Sequence, residues 1–228
     1  MDYLTALRRE LDAFGAWLDS DLFAPVEHCG DWTLFDLAAH MGAGNLWVVT
    51  AVEEGHGNGY DEGAAPRDQA ALKAWYAETA DTLVRALSVD PSTDAWSFAP
   101  PHTVGFWRRR RSQETLMHRW DAENALGSAA PMDMALASDG VAEVFDTMAL
   151  RMIARGVATE PEQAVRITAT DSGGSWVYGP GEPIAEISGR AEDLLLMLWG
   201  RKPQDTDSVA WIGDREAGLR VLAGPLVP

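Results

Sequence analysis

The sequence predicts a mainly α protein, an up-and-down helical bundle followed by a small α+β domain. Two observations support this fold class. Over residues 1–158, apolar side chains recur at spacings of three and four in five long segments, which is the period of amphipathic helices. After residue 160 the pattern changes to short segments that alternate in period two, separated by turn residues. We therefore predict a bundle at 1–158 and an α+β domain at 159–228.

The bundle segments have recognisable starts and stops. In the first, Leu4, Leu7 and Leu11 repeat at helical spacing. In the second, Thr33 followed by Asp36 is a helix-start signature. The five predicted helices span residues 3–18, about 33–54, about 67–88, about 104–126 and about 138–155. Between the second and third, residues 55–66 form a glycine-rich loop, and a loop of this length in a compact domain is often functional or disordered.

The second domain begins with a predicted hairpin. Residues 165–170 alternate in period two, 171–174 (DSGG) form a turn, and 175–178 return as a strand. Further along, the pattern predicts a strand at 185–188, a helix at 191–199, a strand at 209–212 and a short helix at 215–222.

Composition excludes several function classes. The net charge is −17, and acidic residues occur throughout the chain, so the surface repels phosphate backbones and anionic lipid. We therefore expect neither nucleic acid nor membrane as a partner. No apolar run has the length of a membrane span, the N-terminus lacks the features of a signal peptide, and the single Cys29 excludes an internal disulfide. A cytoplasmic monomer or weak dimer is expected.

His40, Glu114 and His118 are candidate metal ligands. Glu114 and His118 are four residues apart on one predicted helix and therefore share a face. With His40 from a neighbouring helix, they supply two imidazoles and one carboxylate. Three protein ligands suit a catalytic zinc site, because the fourth position stays open for water or substrate.

Two aspartates strengthen this interpretation. A lone helical histidine is usually a packed or surface residue, and a Glu–His pair at this spacing is more often a surface pair than a site. However, Asp36 precedes His40 by four residues and Asp121 follows His118 by three. A carboxylate one turn away can accept the second imidazole N–H and orient the ring, as metal-bound histidines require.

The run Arg108–Arg111 opens the fourth predicted helix, where cations oppose the helix dipole. Arg110 and Arg111 lie on the face of Glu114, so they are candidates to guide an anionic substrate to the metal; a solvated basic face is the equally weighted alternative. For Arg108 and Arg109 we favour the solvated face. Cys29 is interpreted as an inert small residue, since no catalytic motif frames it.

Longer motifs resemble the mycothiol-dependent maleylpyruvate isomerase family, whose members belong to the DinB-like metal-binding four-helix bundles. The resemblance lies in residues 31–41 (DWTLFDLAAHM), 106–123 (FWRRRRSQETLMHRWDAE), 181–183 (GEP) and 193–203 (DLLLMLWGRKP). It implies a DinB-like bundle with a small C-terminal domain and a divalent metal, usually zinc, bound by His40, Glu114 and His118. It also implies mycothiol as thiol cofactor and an actinobacterial source, with which sixteen arginines against two lysines agree. Family members hold substrate carboxylates with arginines, for which Arg110, Arg111 and Arg201 are candidates, with Arg201 assigned to the cofactor.

Three functions remain open at this point. The first is an enzyme in which a metal-bound mycothiol thiolate adds to a small electrophilic substrate, giving either cis–trans isomerisation or S-transfer. The second is a metal-dependent hydrolase that uses metal-bound water. The third is a metal-stabilised binding module without chemistry, favoured if His56 or His102 closes the fourth metal position, although both are more readily interpreted as surface residues.

Overall fold

The computed structural model describes residues 1–228, and the chain divides into two compact units, Met1–Ala130 and Pro131–Pro228. The first unit is a four-helix bundle. Its helices are α1 (Tyr3–Ala16), α2 (Leu34–Glu53), α3 (Gln69–Ala86) and α4 (Val104–Ala125), with 3-10 turns at Trp17–Asp19 and Glu62–Ala64. The predicted bundle is confirmed, and its helix ends agree with the structure to within one or two residues, the usual scatter of such boundaries.

Apolar side chains from all four helices form the core of this unit. Helix α1 packs against α4, and α2 packs against both α3 and α4. The largest fully buried side chain is Trp107 on α4, whose indole N–H donates to the Trp96 carbonyl at 2.5 Å. Fully buried Phe14 and Tyr76 make a ring contact between α1 and α3. This core holds α2 and α4 side by side.

Two glycines in α2 allow close approach of neighbouring side chains. A Cβ on Gly42 would lie 2.2 Å from the Trp75 ring, and one on Gly44 would lie 2.9 Å from Nη1 of Arg111. Glycine destabilises a helix interior by roughly 1 kcal/mol. Here that cost permits Trp75 and Arg111 to lie directly against the α2 backbone.

The second unit contains helices and a four-stranded sheet. Its elements are α5 (Met134–Glu143), a π-helical turn (Val144–Met148), α6 (Ala149–Ala154), β1 (Ala164–Ala169), β2 (Ser175–Tyr178), β3 (Pro183–Gly189), α7 (Ala191–Leu198), β4 (Val209–Gly213) and α8 (Arg215–Leu222). The strand order is β2-β1-β3-β4. The predicted hairpin is present as the antiparallel β1–β2 pair, whereas β1 and β3 are parallel, with Ile167 opposite Ile187. The mainly α fold with a small α+β domain is confirmed.

The unit boundary lies earlier in the chain than the predicted 158/159. Helix α5 packs against α7 of the second unit. An amphipathic pattern shows that a helix buries one face, but not which neighbour covers it. The sequence pattern therefore places the fifth helix in the bundle, whereas the structure places it in the second unit. None of the helices is both long and apolar enough to cross a membrane.

Candidate metal centre

Helix α2 carries His40, and the start of this helix is fixed by a capping box. The Thr33 hydroxyl accepts from the Asp36 backbone N–H, and the Asp36 carboxylate accepts from the Thr33 N–H at 2.9 Å. These contacts satisfy backbone donors that a helix N-terminus leaves unpaired. The ring of Trp32 packs on the His40 imidazole with centroids 4.9 Å apart. His40 is therefore held from the side by an aromatic ring.

Helix α4 carries the other two predicted ligands. Glu114 and His118 are one turn apart, and both face His40 across the α2–α4 contact. Oε1 of Glu114 lies 3.3 Å from Nε2 of His40 and 3.3 Å from Nε2 of His118. The three predicted ligands thus converge on one point, and their donor atoms all lie within 4.8 Å of one another.

These separations fit a tetrahedral zinc shell. With bonds of about 2.0–2.1 Å to nitrogen and oxygen, the edge of a tetrahedron around zinc is about 3.3 Å. The two measured Glu114–histidine distances match this edge. One carboxylate and two imidazoles are also ligands that zinc commonly takes. The donor set therefore fits zinc in both spacing and chemistry.

The three candidate ligands differ in their exposure. The exposed fraction of the side chain falls from 22% at His40 and 19% at Glu114 to 7% at His118. A fourth ligand would therefore approach from the side of His40 and Glu114. His56 pairs with Glu54, and His102 contacts Ser97, so neither histidine closes the fourth position.

Charge is balanced locally at Glu114. Burial alone would raise its pKa, but the Arg110 guanidinium and the two imidazoles bring the pKa well below its usual range. Burial would likewise lower the pKa of His118, but Asp121, Cys29 and Glu114 raise that pKa well above its usual value. Carboxylates thus surround His118 in a manner that also favours a bound cation.

The two aspartates proposed to orient the imidazoles differ. Asp121 lies on the buried side of the site, with its Oδ2 3.0 Å from Nδ1 of His118. Asp36 is occupied by the capping box with Thr33 and makes no contact with His40, so this part of the prediction is corrected. The Asp36 carboxylate is engaged in the capping box at the start of α2, so it does not accept from His40 as its spacing predicted.

Two residues of the loop take the place predicted for Asp36. The Tyr60 hydroxyl lies 2.6 Å from Nδ1 of His40, and Oε1 of Glu62 lies 3.2 Å from the same nitrogen. The glycine-rich loop at 55–66 is visible in the sequence, but nothing in its pattern connects these side chains to the metal. A tyrosine and a glutamate in a long loop that follows the helix of His40 are the available signal.

Cys29, interpreted from the sequence as an inert small residue, lies beside the site. Its Sγ lies 3.7 Å from Oδ2 of Asp121, and Cys29, His118 and Asp121 form a second group with ligand-like spacing. Two of its three members are buried, whereas His40 and Glu114 of the first group are both partly exposed. The group of His40, Glu114 and His118 is therefore the better candidate for a reaction centre.

The arginines of α4 divide into different roles. Arg110 is buried and donates to Oε2 of Glu114. Arg111 is buried as well, but its partners are neutral: Oδ1 of Asn45 at 2.7 Å and the Met41 carbonyl at 3.4 Å. Its Nε has no hydrogen-bond partner.

Arg108 lies away from these contacts. It donates to the Leu87 carbonyl at 2.8 Å, so it caps the end of α3 rather than forming part of a solvated face.

Arg201, predicted to bind the cofactor, belongs to the second unit. Its guanidinium lies over the Trp199 ring at 5.6 Å and donates to the Trp199 carbonyl. These contacts order the side chain within its own unit. A role in cofactor binding stays a prediction.

Comparisons with known proteins agree with this architecture. Residues 4–123 match the family described as mycothiol maleylpyruvate isomerase N-terminal domain, and residues 135–220 match the corresponding C-terminal domain. Two uncharacterized proteins of Mycobacterium tuberculosis, from strains H37Rv and CDC 1551, are each 27% identical over 252 residues, covering 97% of this chain and 94% of theirs. Crystal structures of the mycothiol-dependent maleylpyruvate isomerase and of a His-to-Ala mutant superimpose with a TM-score of 0.68 at 17% and 16% identity, each covering 92% of this chain and 91% of that one.

Proposed function

Because the chain belongs to the mycothiol maleylpyruvate isomerase family, we propose that it is a zinc-dependent enzyme that uses mycothiol to attack a small electrophilic substrate. The observation that carries the proposal is the group of His40, Glu114 and His118, whose two Glu114–histidine distances match a tetrahedral edge and whose His40 and Glu114 side chains are partly exposed. A divalent cation held there lowers the pKa of a thiol at its open position, so that the sulfur reacts as a thiolate at neutral pH.

The charges around the three candidate ligands are compatible with an anionic fourth ligand. Glu114, Asp121 and Glu62 are carboxylates at the site, and Arg110 and Arg111 are nearby cations. A divalent cation held there would attract a thiolate or a hydroxide formed from bound water, so the choice of a thiol rests on the family.

The reaction follows from the chemistry of a thiolate. Addition of the sulfur to an activated carbon–carbon double bond forms a C–S bond and leaves a single bond that can rotate. Elimination then breaks the C–S bond and returns the thiolate, with no net gain or loss of atoms or electrons. This sequence is cis–trans isomerisation, which the family name favours; departure of a different leaving group would give S-transfer instead.

Arg111 is proposed to receive the anionic part of the substrate. A buried guanidinium without a carboxylate partner is costly, because its charge is removed from water without compensation. Arg110 is already neutralised by Glu114, whereas Arg111 keeps an unpaired Nε. An anionic substrate group would supply the missing partner. Arg201 is proposed to contact the cofactor.

The test combines metal content with thiol dependence. Purified protein should contain about one zinc per chain, and His118→Ala should lose it. Turnover of a panel of electrophilic substrates is then measured with mycothiol, with glutathione and without thiol. We expect turnover with mycothiol only, and we expect it to persist in Cys29→Ser, because the reacting sulfur is not the protein's own.

Other outcomes identify the alternatives. Full turnover without any thiol would exclude the proposal and favour the metal-dependent hydrolase. Tight ligand binding without turnover of any substrate would favour the binding module. Absence of zinc, together with wild-type activity in His118→Ala, would exclude the metal site altogether.

A further inference from the structure

The loop between α2 and α3 supplies the side chains that face the outer nitrogen of His40. The Tyr60 hydroxyl lies 2.6 Å from Nδ1 of His40 and 2.6 Å from Oε1 of Glu62, and that Oε1 lies 3.2 Å from the same Nδ1. The three groups close a triangle. The orientation of a helical metal ligand therefore depends on residues outside either helix of the metal site.

The triangle surrounds Nδ1 with acceptors. The Tyr60 hydroxyl donates a hydrogen bond to Glu62 and turns a lone pair towards His40, so both atoms that face Nδ1 accept hydrogen bonds. Nε2 faces a third acceptor, Oε1 of Glu114. A metal at Nε2 would take the lone pair of that nitrogen, and the imidazole proton would then reside on Nδ1, where Tyr60 and Glu62 accept it.

The two histidines of the site are thus oriented in different ways. Asp121 orients His118 from the same helix, and its side chain is fully buried. Glu62 orients His40 from a loop, and 44% of its side chain is exposed. One half of the ligand set is fixed by a helix, while the other half depends on the position of a surface segment.

The loop is anchored at one further point. The Trp47 indole N–H donates to the Gly57 carbonyl at 2.8 Å. Gly57 lies so close to Trp96 that a Cβ would come within 2.1 Å of its ring. The Trp96 ring is itself packed against Trp47 and Trp107, so a side chain at residue 57 is expected to displace the loop, three residues before Tyr60.

We propose that Tyr60 and Glu62 are positioning residues for His40, which accept the Nδ1 proton of the metal-bound imidazole and make metal retention depend on the position of the 55–66 loop. The proposal rests on the proposed metal site. It adds that the affinity for zinc is set in part by two residues that belong to neither ligand-bearing helix.

The first test measures zinc affinity by competition with a chromophoric chelator. Tyr60→Phe and Glu62→Gln remove one member of the triangle each and keep the shape of the side chain. We expect each to weaken zinc binding by about 10–100-fold, the usual effect of a residue that orients a metal ligand. The zinc affinity of the double variant should be only slightly below that of the single variant with the lower affinity, because both residues accept the same proton of His40. His56→Gln, in the same loop but paired with Glu54, is the matched control and should bind zinc as wild type does.

A second readout separates positioning from a general structural role. Cobalt in place of zinc reports ligand geometry by its visible absorption, so the spectrum should change in Tyr60→Phe and Glu62→Gln and not in His56→Gln. The melting temperature of the metal-free variants should stay at the wild-type value. Gly57→Ala, which displaces the loop without touching His40, should also weaken zinc binding.

The outcomes distinguish this inference from the proposed function. Wild-type zinc affinity and an unaltered cobalt spectrum in Tyr60→Phe and Glu62→Gln would overturn the inference and leave the metal site intact. Unchanged affinity in Gly57→Ala would overturn the dependence on the loop. Failure of the wild-type protein to bind zinc would overturn both the inference and the metal site.

Discussion

Arg110 and Glu114 lie one turn apart on α4, and the Arg110 guanidinium binds the carboxylate oxygen that faces away from the two histidines. Oε1 of Glu114 is the atom directed at His40 and His118, while Oε2 is directed at Arg110. The carboxylate is therefore shared between a permanent cation and the candidate metal position. This division lets Glu114 stay ionised whether or not a metal is bound.

The first prediction concerns Arg110. Replacement by methionine leaves the Glu114 charge without its buried partner, which typically costs about 3–5 kcal/mol. We expect that loss in metal-free protein and a smaller loss with zinc, because the metal compensates the same carboxylate. Chemical denaturation with and without chelator measures both values. Arg110→Lys keeps the charge and serves as the control; equal losses for Met and Lys would contradict the electrostatic explanation.

The second prediction compares the two aspartates. Asp121→Asn removes the carboxylate that faces Nδ1 of His118, so zinc affinity should fall by about 10–100-fold. Asp36→Ala should leave zinc affinity unchanged, because Asp36 contacts Thr33 and not His40. Competition with a chelator measures the zinc affinity of both variants and so shows which aspartate orients a metal ligand. An equal effect of both substitutions would show that spacing on the helix, and not the observed contacts, governs the site.

A third prediction concerns stability and pH at Asp36. Hydrogen bonding by the backbone N–H of Thr33 lowers the pKa of Asp36 in the folded protein. A lowered pKa stabilises the fold at pH values above the ordinary carboxyl pKa, and this contribution is lost as the pH falls through the folded value. Asp36→Ala should therefore destabilise the protein at pH 7 by about 0.5–1.5 kcal/mol, the net contribution of a typical hydrogen bond. The difference from wild type should shrink below about pH 4. A difference that is constant from pH 7 to pH 3 would rule out the charged capping box as its cause.

The fourth prediction concerns Arg111. If the unpaired guanidinium receives an anionic substrate group, Arg111→Met should raise KM for an anionic substrate far more than for its neutral ester. Zinc content should hold, because Arg111 does not contact any of the three ligands. Steady-state kinetics on the acid and the ester, next to elemental analysis, measure both effects. Equal changes in KM for the acid and the ester would show that Arg111 only packs beside Gly44 and does not bind the substrate.

Much of the bundle was predictable because local patterns determine its helices. The capping box at Thr33 and Asp36 and the apolar spacing in α1 are local signals, and both are present in the structure. The placement of α5 was not predictable in the same way. Its partner α7 begins about 50 residues after α5 ends, and a single helical pattern does not encode such a pairing.

The same distinction applies to the site. Glu114, His118 and Asp121 are on one helix, so their spacing alone predicts that they share a face. The environment of His40 depends on a loop whose path is determined by tertiary contacts, including those of Gly57 with Trp47 and Trp96. Sequence spacing therefore favours Asp36 as the residue that orients His40, although the Asp36 carboxylate is bound to Thr33 in the structure. The contact of Cys29 with Asp121 spans 92 residues and has no local signature.

The distribution of the ligands over two helices has a consequence for folding. Glu114 and His118 come together in any state in which α4 is helical, whereas His40 joins them only when α2 is docked on α4. The two side chains of α4 alone would offer a metal ion only a weakly binding half-site. A metal ion bound by all three residues would cross-link α2 and α4. It would stabilise the state in which α2 is docked on α4, and this stabilisation would grow with the affinity that the third ligand adds. Hydrogen exchange at the α2–α4 contact should then slow on metal binding, while exchange within the isolated turn from Glu114 to His118 changes less.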